Sequence, residues 1–219
     1  MKHWIRQTTL PLKKRLLAAA CHRLKQTTEG CRPAYADVAA LALAWGNPGY
    51  AAGLSYLRDV GERALRTQGP ILECGSDTTT LLVGALTARN RTPFVALEND
   101  LRWYEYLSGM LDYIGYTHVD LVYAPLQDHG NYLWYEAPNK KIPPEIRLVI
   151  CDGPPGNTPG GRYGLMPVMG HNLAHNCVIL LDDTHRFGER RVVDAWRDHR
   201  CLKANRLGAF GSHAEVVCC

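Results

Sequence analysis

The sequence predicts an α/β fold: a doubly wound, mostly parallel sheet with an N-terminal helical extension and a C-terminal antiparallel hairpin. Three observations predict it. Strand-like apolar segments alternate with helical ones from residue 71 onward. Two of those segments, Arg147–Asp152 and Val178–Asp183, are nearly continuous apolar runs, the signature of strands covered by helices on both faces. Near the end, a short Gly211-Ser212 gap divides two further strand-like segments, the spacing of a hairpin. A length of 219 residues with 46% hydrophobic content is enough for one domain with a full core. We divide the chain into a helical extension or lid over residues 1–67 and a main domain over 68–219.

Taken in order, Leu12, Leu16, Ala20 and Leu24 recur at four-residue spacing, with Lys13, Lys14, Arg15, Arg23 and Lys25 largely on other faces. That pattern predicts a basic amphipathic helix. Through residues 1–30 it could lie on an acidic membrane surface, or pack on the domain or a partner with its charges solvated. A cleaved targeting peptide fits the scarcity of acids but not the lack of serine. Residues 34–67 read as helices broken at Gly46-Asn47-Pro48-Gly49, and could supply a lid or the contact of a homodimer. Then come a strand at Ile71–Cys74, a helix at Thr79–Arg89, a strand at Phe94–Glu98, a helix at Leu101–Ile114 and a strand at Val119–Ala124. After the two apolar runs, a helix is expected at Arg191–Arg200 and strands at Ala204–Phe210 and His213–Val217.

The net charge of +4 is concentrated at one end: residues 1–32 carry eight Lys or Arg against Glu29 alone, leaving a net of −3 for the rest. A nucleic-acid groove across the whole protein is therefore not expected. The eight cysteines are scattered without a Cys-x-x-Cys pair, and Cys74, Cys151 and Cys177 lie in or beside apolar strands. They read as reduced core residues of a cytoplasmic protein, which leaves zinc and thioredoxin chemistry with little support. The apolar run Leu16–Cys21 is shorter than a signal-peptide core of ~7 residues, and no run approaches the ~18 residues of a membrane span.

The chemistry concentrates at the strand ends. In Ile71-Leu-Glu-Cys-Gly-Ser-Asp-Thr-Thr-Thr80 a buried strand runs into an acid, a glycine and hydroxyls that open a helix. Gly75 permits close approach of a ligand, and free N–H groups near Thr78 to Thr80 favour its carboxylate or phosphate oxygens. Glu98 ends the next strand 23 residues after Gly75, the usual interval for a carboxylate that accepts ribose hydroxyl protons. Together these residues indicate a nucleoside cofactor. Asp152, Asp182 and Asp183 end the fourth and fifth strands. Adjacent carboxylates repel unless one is protonated or a cation intervenes, so either a hard divalent ion, magnesium for choice, sits there, or the acids serve as helix caps and turn anchors. The turn-rich segment Asp152-Gly-Pro-Pro-Gly-Asn-Thr-Pro-Gly-Gly-Arg-Tyr-Gly164 is expected to wall the acceptor site. Arg162 and Tyr163 are its polar contacts there, Arg162 clamping a carboxylate or phosphate or else pairing with a surface acid. Tyr132, Trp134 and Tyr135 form a second wall that either stacks on an acceptor or packs in the core. His171 and His175 are four apart on an expected helix and are read as structural.

The order Glu-Cys-Gly-Ser, acid-ended second strand, Asp-Gly-Pro-Pro-Gly and Leu-Asp-Asp resembles that of class I S-adenosylmethionine-dependent methyltransferases, over about residues 70–219. The resemblance implies a Rossmann-like sheet and a loop of Glu73, Gly75, Ser76 and Thr79 around the methionine part of S-adenosylmethionine. It also implies Glu98 on the ribose and Asp152 near the transferring methyl. Asp77 stands where a further glycine is common. Metal-assisted O-methyltransferases of this superfamily hold magnesium with acids at the places of Asp152, Asp182 and Asp183. The resemblance therefore implies Mg2+ on those three residues, catalytic roles for Asp152 and Asp183, and a small-molecule acceptor methylated at a hydroxyl oxygen; His185, by its position, either serves as the base or is an exposed loop or helix-start histidine. No Asn/Asp-Pro-Pro-Tyr segment of the kind used for amino-group methylation occurs. A nicotinamide-dependent oxidoreductase would share the strand, turn and ribose acid but should carry Gly-x-Gly-x-x-Gly, which Gly75-Ser-Asp-Thr-Thr-Thr lacks. A non-catalytic nucleoside-binding module with a basic interaction arm is the third reading.

Overall fold

The computed structural model describes residues 10–28, 31–47, 52–136, 139–208 and 212–219. Residues 1–9, Glu29, Pro48 and Gly49 of the predicted break, and Phe210 and Gly211 of the expected hairpin lie outside those residues. Seven strands make one sheet: β1 (Ile71–Cys74), β2 (Phe94–Glu98), β3 (Val119–Tyr123), β6 (Ile146–Cys151), β7 (Leu173–Leu181), β8 (Leu202–Leu207) and β9 (His213–Cys218). Their order is β3-β2-β1-β6-β7-β9-β8. All pairings from β3 to β7 are parallel, and only β9 runs antiparallel to both its neighbours. The chain therefore reverses its direction of travel across the sheet between β1 and β6, and ligands of such sheets bind at the carboxyl ends beside that switch. Two short strands, β4 (Leu126–Asp128) and β5 (Leu133–Tyr135), pair as a separate ribbon.

Alternation along the strands builds two cores. Ile71, Phe94, Ala96, Leu148, Ile150 and Leu180 face one layer, and Leu72, Cys74, Val95, Leu97, Val149 and Ile179 face the other, as a period of two requires. The first layer is made by α4 (Thr78–Thr87), α5 (Leu101–Ile114) and all three N-terminal helices, α1 (Leu10–Leu24), α2 (Tyr35–Trp45) and α3 (Leu54–Arg66). The second is made by α6 (Leu165–Met169), α7 (Phe187–Trp196) and β5. Residues below 68 thus share one apolar cluster with the main domain.

Helix α1 buries Leu17, Ala20, Cys21 and Leu24, whereas Leu12 and Leu16 are 63% and 54% exposed. The predicted four-residue stripe is corrected to an i, i+3, i+4, i+7 face because a four-residue repeat drifts ~40° per step around a 3.6-residue helix. Helix α2 stops at Gly46, whose φ of 65° suits the left-handed cap. Strand β7 begins five residues before Val178, and α7 begins four residues before the expected Arg191, burying Val192, Val193 and Trp196. His171 lies in a 3₁₀ turn at Gly170–Asn172 and His175 in β7, so the expected shared helix is absent. Cys74, Cys151 and Cys177 are buried, and all eight cysteines are free thiols. Among the described residues, no helix is long and apolar enough to cross a membrane.

Candidate functional site at the strand carboxyl ends

The turns after β1 and β6 touch. Gly75 has a φ of 87°, and a Cβ there would lie 2.8 Å from the backbone N and Cα of Gly153, so neither conformation nor space admits a side chain. The two turns are pinned by Asp152 N–H and Gly153 N–H, both donating to the Cys74 carbonyl at 3.1 and 2.6 Å. Between them and β2 opens a cavity of about 110 Å³, lined by Gly75, Ser76, Asp77, Glu98, Asn99 and Tyr135 and closed by Asp152, Gly153 and Pro155. A larger hollow of about 400 Å³ near His171 and His199 sits at the amino end of β7, away from the strand ends that carry the acids. Its Arg200 is committed to the carbonyls of Gly170, Leu173 and Ala174.

Glu98 is 5% exposed and oriented from two sides. Ser76 Oγ donates to its Oε2 at 2.6 Å, and the Asp100 backbone N–H donates to its Oε1 at 2.8 Å. Each oxygen keeps a second lone pair, so the aimed carboxylate can still accept from a diol. Glu73 is different. It is fully buried, Thr79 Oγ1 donates to one of its oxygens, and Thr80 Oγ1 donates to the other at 2.6 Å. Burial pushes its carboxyl up to about 8, with the two hydroxyls opposing the shift. Glu73 and Thr79 were expected to contact a cofactor; their side chains instead brace the turn from beneath.

Asp77, in the place where glycine is common, joins the N-terminal layer to this turn. Trp45 Nε1 donates to its Oδ1 and Asn47 Nδ2 to its Oδ2 at 2.6 Å, while Trp103 Nε1 donates to the Ser76 carbonyl at 2.7 Å. The sequence alone did not reveal this coupling, although Trp45-Gly46-Asn47 beside a predicted helix end was its available signal. Tyr135 was expected to stack on an acceptor. It faces the cavity, but its hydroxyl is buried without a hydrogen-bond partner and would collide with a Cβ on Gly153. Burial raises its phenol well above the ordinary value, so it remains a donor. An orphaned donor and an aimed carboxylate on one cavity suit polar ligand groups such as the hydroxyls of a nucleoside.

Asp152, Asp182 and Asp183 offer carboxylate oxygens that all lie within 4.8 Å of one another. At that separation each charged pair repels by about 3 to 4 kcal/mol for an effective dielectric constant of ~20. The structure supplies the neutralising charge. Arg162, 1% exposed, places one nitrogen, Nη2, 3.1 Å from Asp152 Oδ1 and 2.9 Å from Asp183 Oδ2. Its guanidinium also donates to the backbone carbonyls of Asp182 and Asp152. The acids hold Arg162 protonated against the effect of burial. Burial raises the Asp152 carboxyl well above its ordinary value despite Arg162, and burial likewise raises Asp182. Arg162 was expected to clamp a ligand or a surface acid; it is spent on the protein's own buried acids. The position bridging Asp152 and Asp183 is already held by a cation, so the three acids are a poor fit to magnesium as they stand.

The other expected contacts separate. His185 is exposed on the loop before α7, two residues beyond Asp183, and lines neither cavity. Trp134 is fully buried under Gly164, where a Cβ would meet its ring at 2.6 Å, so it packs rather than stacks on a ligand. Tyr163 turns its hydroxyl to His199 Nε2 at 2.7 Å, and its carbonyl accepts from Trp196 Nε1.

No protein-family model and no curated protein matches the chain. Solved structures do. An O-methyltransferase from Bacillus cereus in complex with SAH superposes with a TM-score of 0.58 at 11% identity, over 84% of this chain and 90% of that one. An SAH-bound methyltransferase from Podospora anserina gives 0.52 at 16% identity, over 98% and 97% of the two chains. A methyltransferase from Geobacter sulfurreducens gives 0.52 at 15%, over 84% and 86%. At such identities the likeness is one of architecture: the chain has the Rossmann-like fold of class I methyltransferases.

Proposed function

We propose that the protein is an S-adenosylmethionine-dependent methyltransferase acting on a small acceptor, with a hydroxyl oxygen as the methylated atom. The observation that carries this reading is the cavity between the touching Gly75 and Gly153 turns, with the doubly held Glu98 on its wall. Glu98 would accept the ribose hydroxyls and Tyr135 Oη would donate into the cavity, while the two glycines let the turns that carry these walls pack directly against each other. The cofactor, held by Glu98 and Tyr135, would supply an electrophilic sulfonium methyl for transfer to the acceptor oxygen, with the C–S electron pair left on sulfur. Asp152, which closes the same cavity, is the residue assigned to take the hydroxyl proton. The end of α2 and the segment just after it, through Trp45 and Asn47 on Asp77, would fix the turn that faces the methionine end. The magnesium that the resemblance implies meets a competitor here in the Arg162 guanidinium.

The test is transfer of tritium from S-adenosyl-[methyl-³H]methionine to a panel of phenols, catechols and sugar alcohols, with amines as controls. Label on a hydroxylated acceptor, lost in Asp152→Asn, is the expected result. Label confined to amines, or none on any acceptor from folded protein, would count against oxygen transfer.

A further inference from the structure

We propose that Arg162 is a built-in cation that replaces a divalent ion between Asp152 and Asp183. The inference rests on the methyltransferase reading only for the purpose of the site, not for its geometry. A single nitrogen, Nη2, reaches a carboxylate oxygen of each acid, at 3.1 and 2.9 Å, which is the bridging position an ion would take. The guanidinium also bonds the carbonyls that follow β6 and β7, so one group ties the two strand ends together as a shared ligand sphere would. It is not a surface arginine that has swung inward. Its side chain is 2% exposed, and the neighbouring backbone is fixed by Gly164 against Trp134 and by Trp196 Nε1 donating to the Tyr163 carbonyl. Arg186 adds a second, half-exposed cation, 2.9 Å from the same Asp183 oxygen.

The physical difference from a metal site is in what the cation can offer an acceptor. A guanidinium has donors but no coordination position, so it neutralises and orients the acids without binding the acceptor oxygen directly. Arg162 is thus a positioning residue that acts through Asp152 and Asp183. Its removal should expose a set of three carboxylates whose oxygens lie within 4.8 Å, the hard-oxygen environment that divalent ions select.

The experiment is titration of the full-length protein with Mn²⁺, followed by loss of the free-ion paramagnetic resonance signal, for wild type, Arg162→Gln, and Arg162→Gln with Asp183→Asn. We expect no stoichiometric site in wild type, one site per chain in Arg162→Gln with at least tenfold tighter binding, and its loss in the double variant. One Mn²⁺ per wild-type chain, abolished by Asp183→Asn, would overturn the proposal. So would the absence of any site in folded Arg162→Gln. If Arg162→Gln does not fold in EDTA, recovery of its circular dichroism on refolding with Mn²⁺ is expected, and failure to recover would also overturn the exchange. S-adenosylhomocysteine binding, measured separately, reports on the methyltransferase reading and leaves the Mn²⁺ result standing by itself.

Discussion

The carboxyl ends of β1 and β2 and those of β6 and β7 both carry buried acids, yet they are satisfied by different chemistry. Glu73 and Glu98 stand apart and accept from neutral groups: the hydroxyls of Thr79, Thr80 and Ser76 and one backbone N–H. Asp152, Asp182 and Asp183 crowd together and take a guanidinium. An isolated buried carboxyl can be held by hydrogen bonds, with its proton when burial demands. Three crowded ones need a positive charge as well, and breaking such an arrangement by removing one partner strands the others.

The largest effect should come from that second region. Arg162→Ala is expected to cost about 3 to 5 kcal/mol of stability, measured by urea unfolding at neutral pH; a loss below 1 kcal/mol would mean the acids are neutralised by their own protons. Next is the first region's ligand face. Glu98→Ala should weaken S-adenosylhomocysteine binding roughly a hundredfold, about 2.7 kcal/mol, with the melting temperature nearly unchanged, whereas equal loss of both would make Glu98 a structural acid.

An effect smaller per pH unit separates Glu73 from its neighbours through pH. Its carboxyl sits at about 8 in the folded protein against an ordinary 4.5, so between those values the folded state holds the proton that the unfolded state releases. Its contribution is therefore full below pH 4.5 and is lost as pH rises toward 8, with a slope of at most about 1.4 kcal/mol per pH unit. Glu73→Gln should flatten that part of the stability profile, and an unchanged slope between pH 5 and 8 would remove Glu73 as its source. The smallest effect is Trp45→Phe, which deletes the indole donor to Asp77. It is expected to cost about 1 kcal/mol in unfolding experiments and to weaken cofactor binding only severalfold; binding left untouched would detach the N-terminal layer from the turn's function.

Much of the framework was legible because it rests on periodicity. The runs at Phe94–Glu98 and Leu101–Ile114 coincide with β2 and α5, and Gly75 and Glu98 could be paired by spacing alone. Side-chain direction was not legible. Nothing in the order Gly-Gly-Arg-Tyr-Gly says that Arg162 turns inward to acids ten and twenty-one residues away while Tyr163 turns out to His199. Trp134 and Tyr135 were read as one aromatic wall, but alternation along β5 sends the first under Gly164 and the second to the cavity. The α1 stripe failed for a related reason, since four-residue spacing does not track the face that docks.

The central claim is that the cavity at the ends of β1, β2 and β6 holds a sulfur-linked nucleoside. Calorimetric titration of the folded protein with S-adenosylhomocysteine, in EDTA and again in magnesium, with NADH as control ligand, tests it most directly. One saturable site for S-adenosylhomocysteine, the same in both buffers and absent for NADH, is the predicted result; no S-adenosylhomocysteine binding, or preference for NADH, would contradict it.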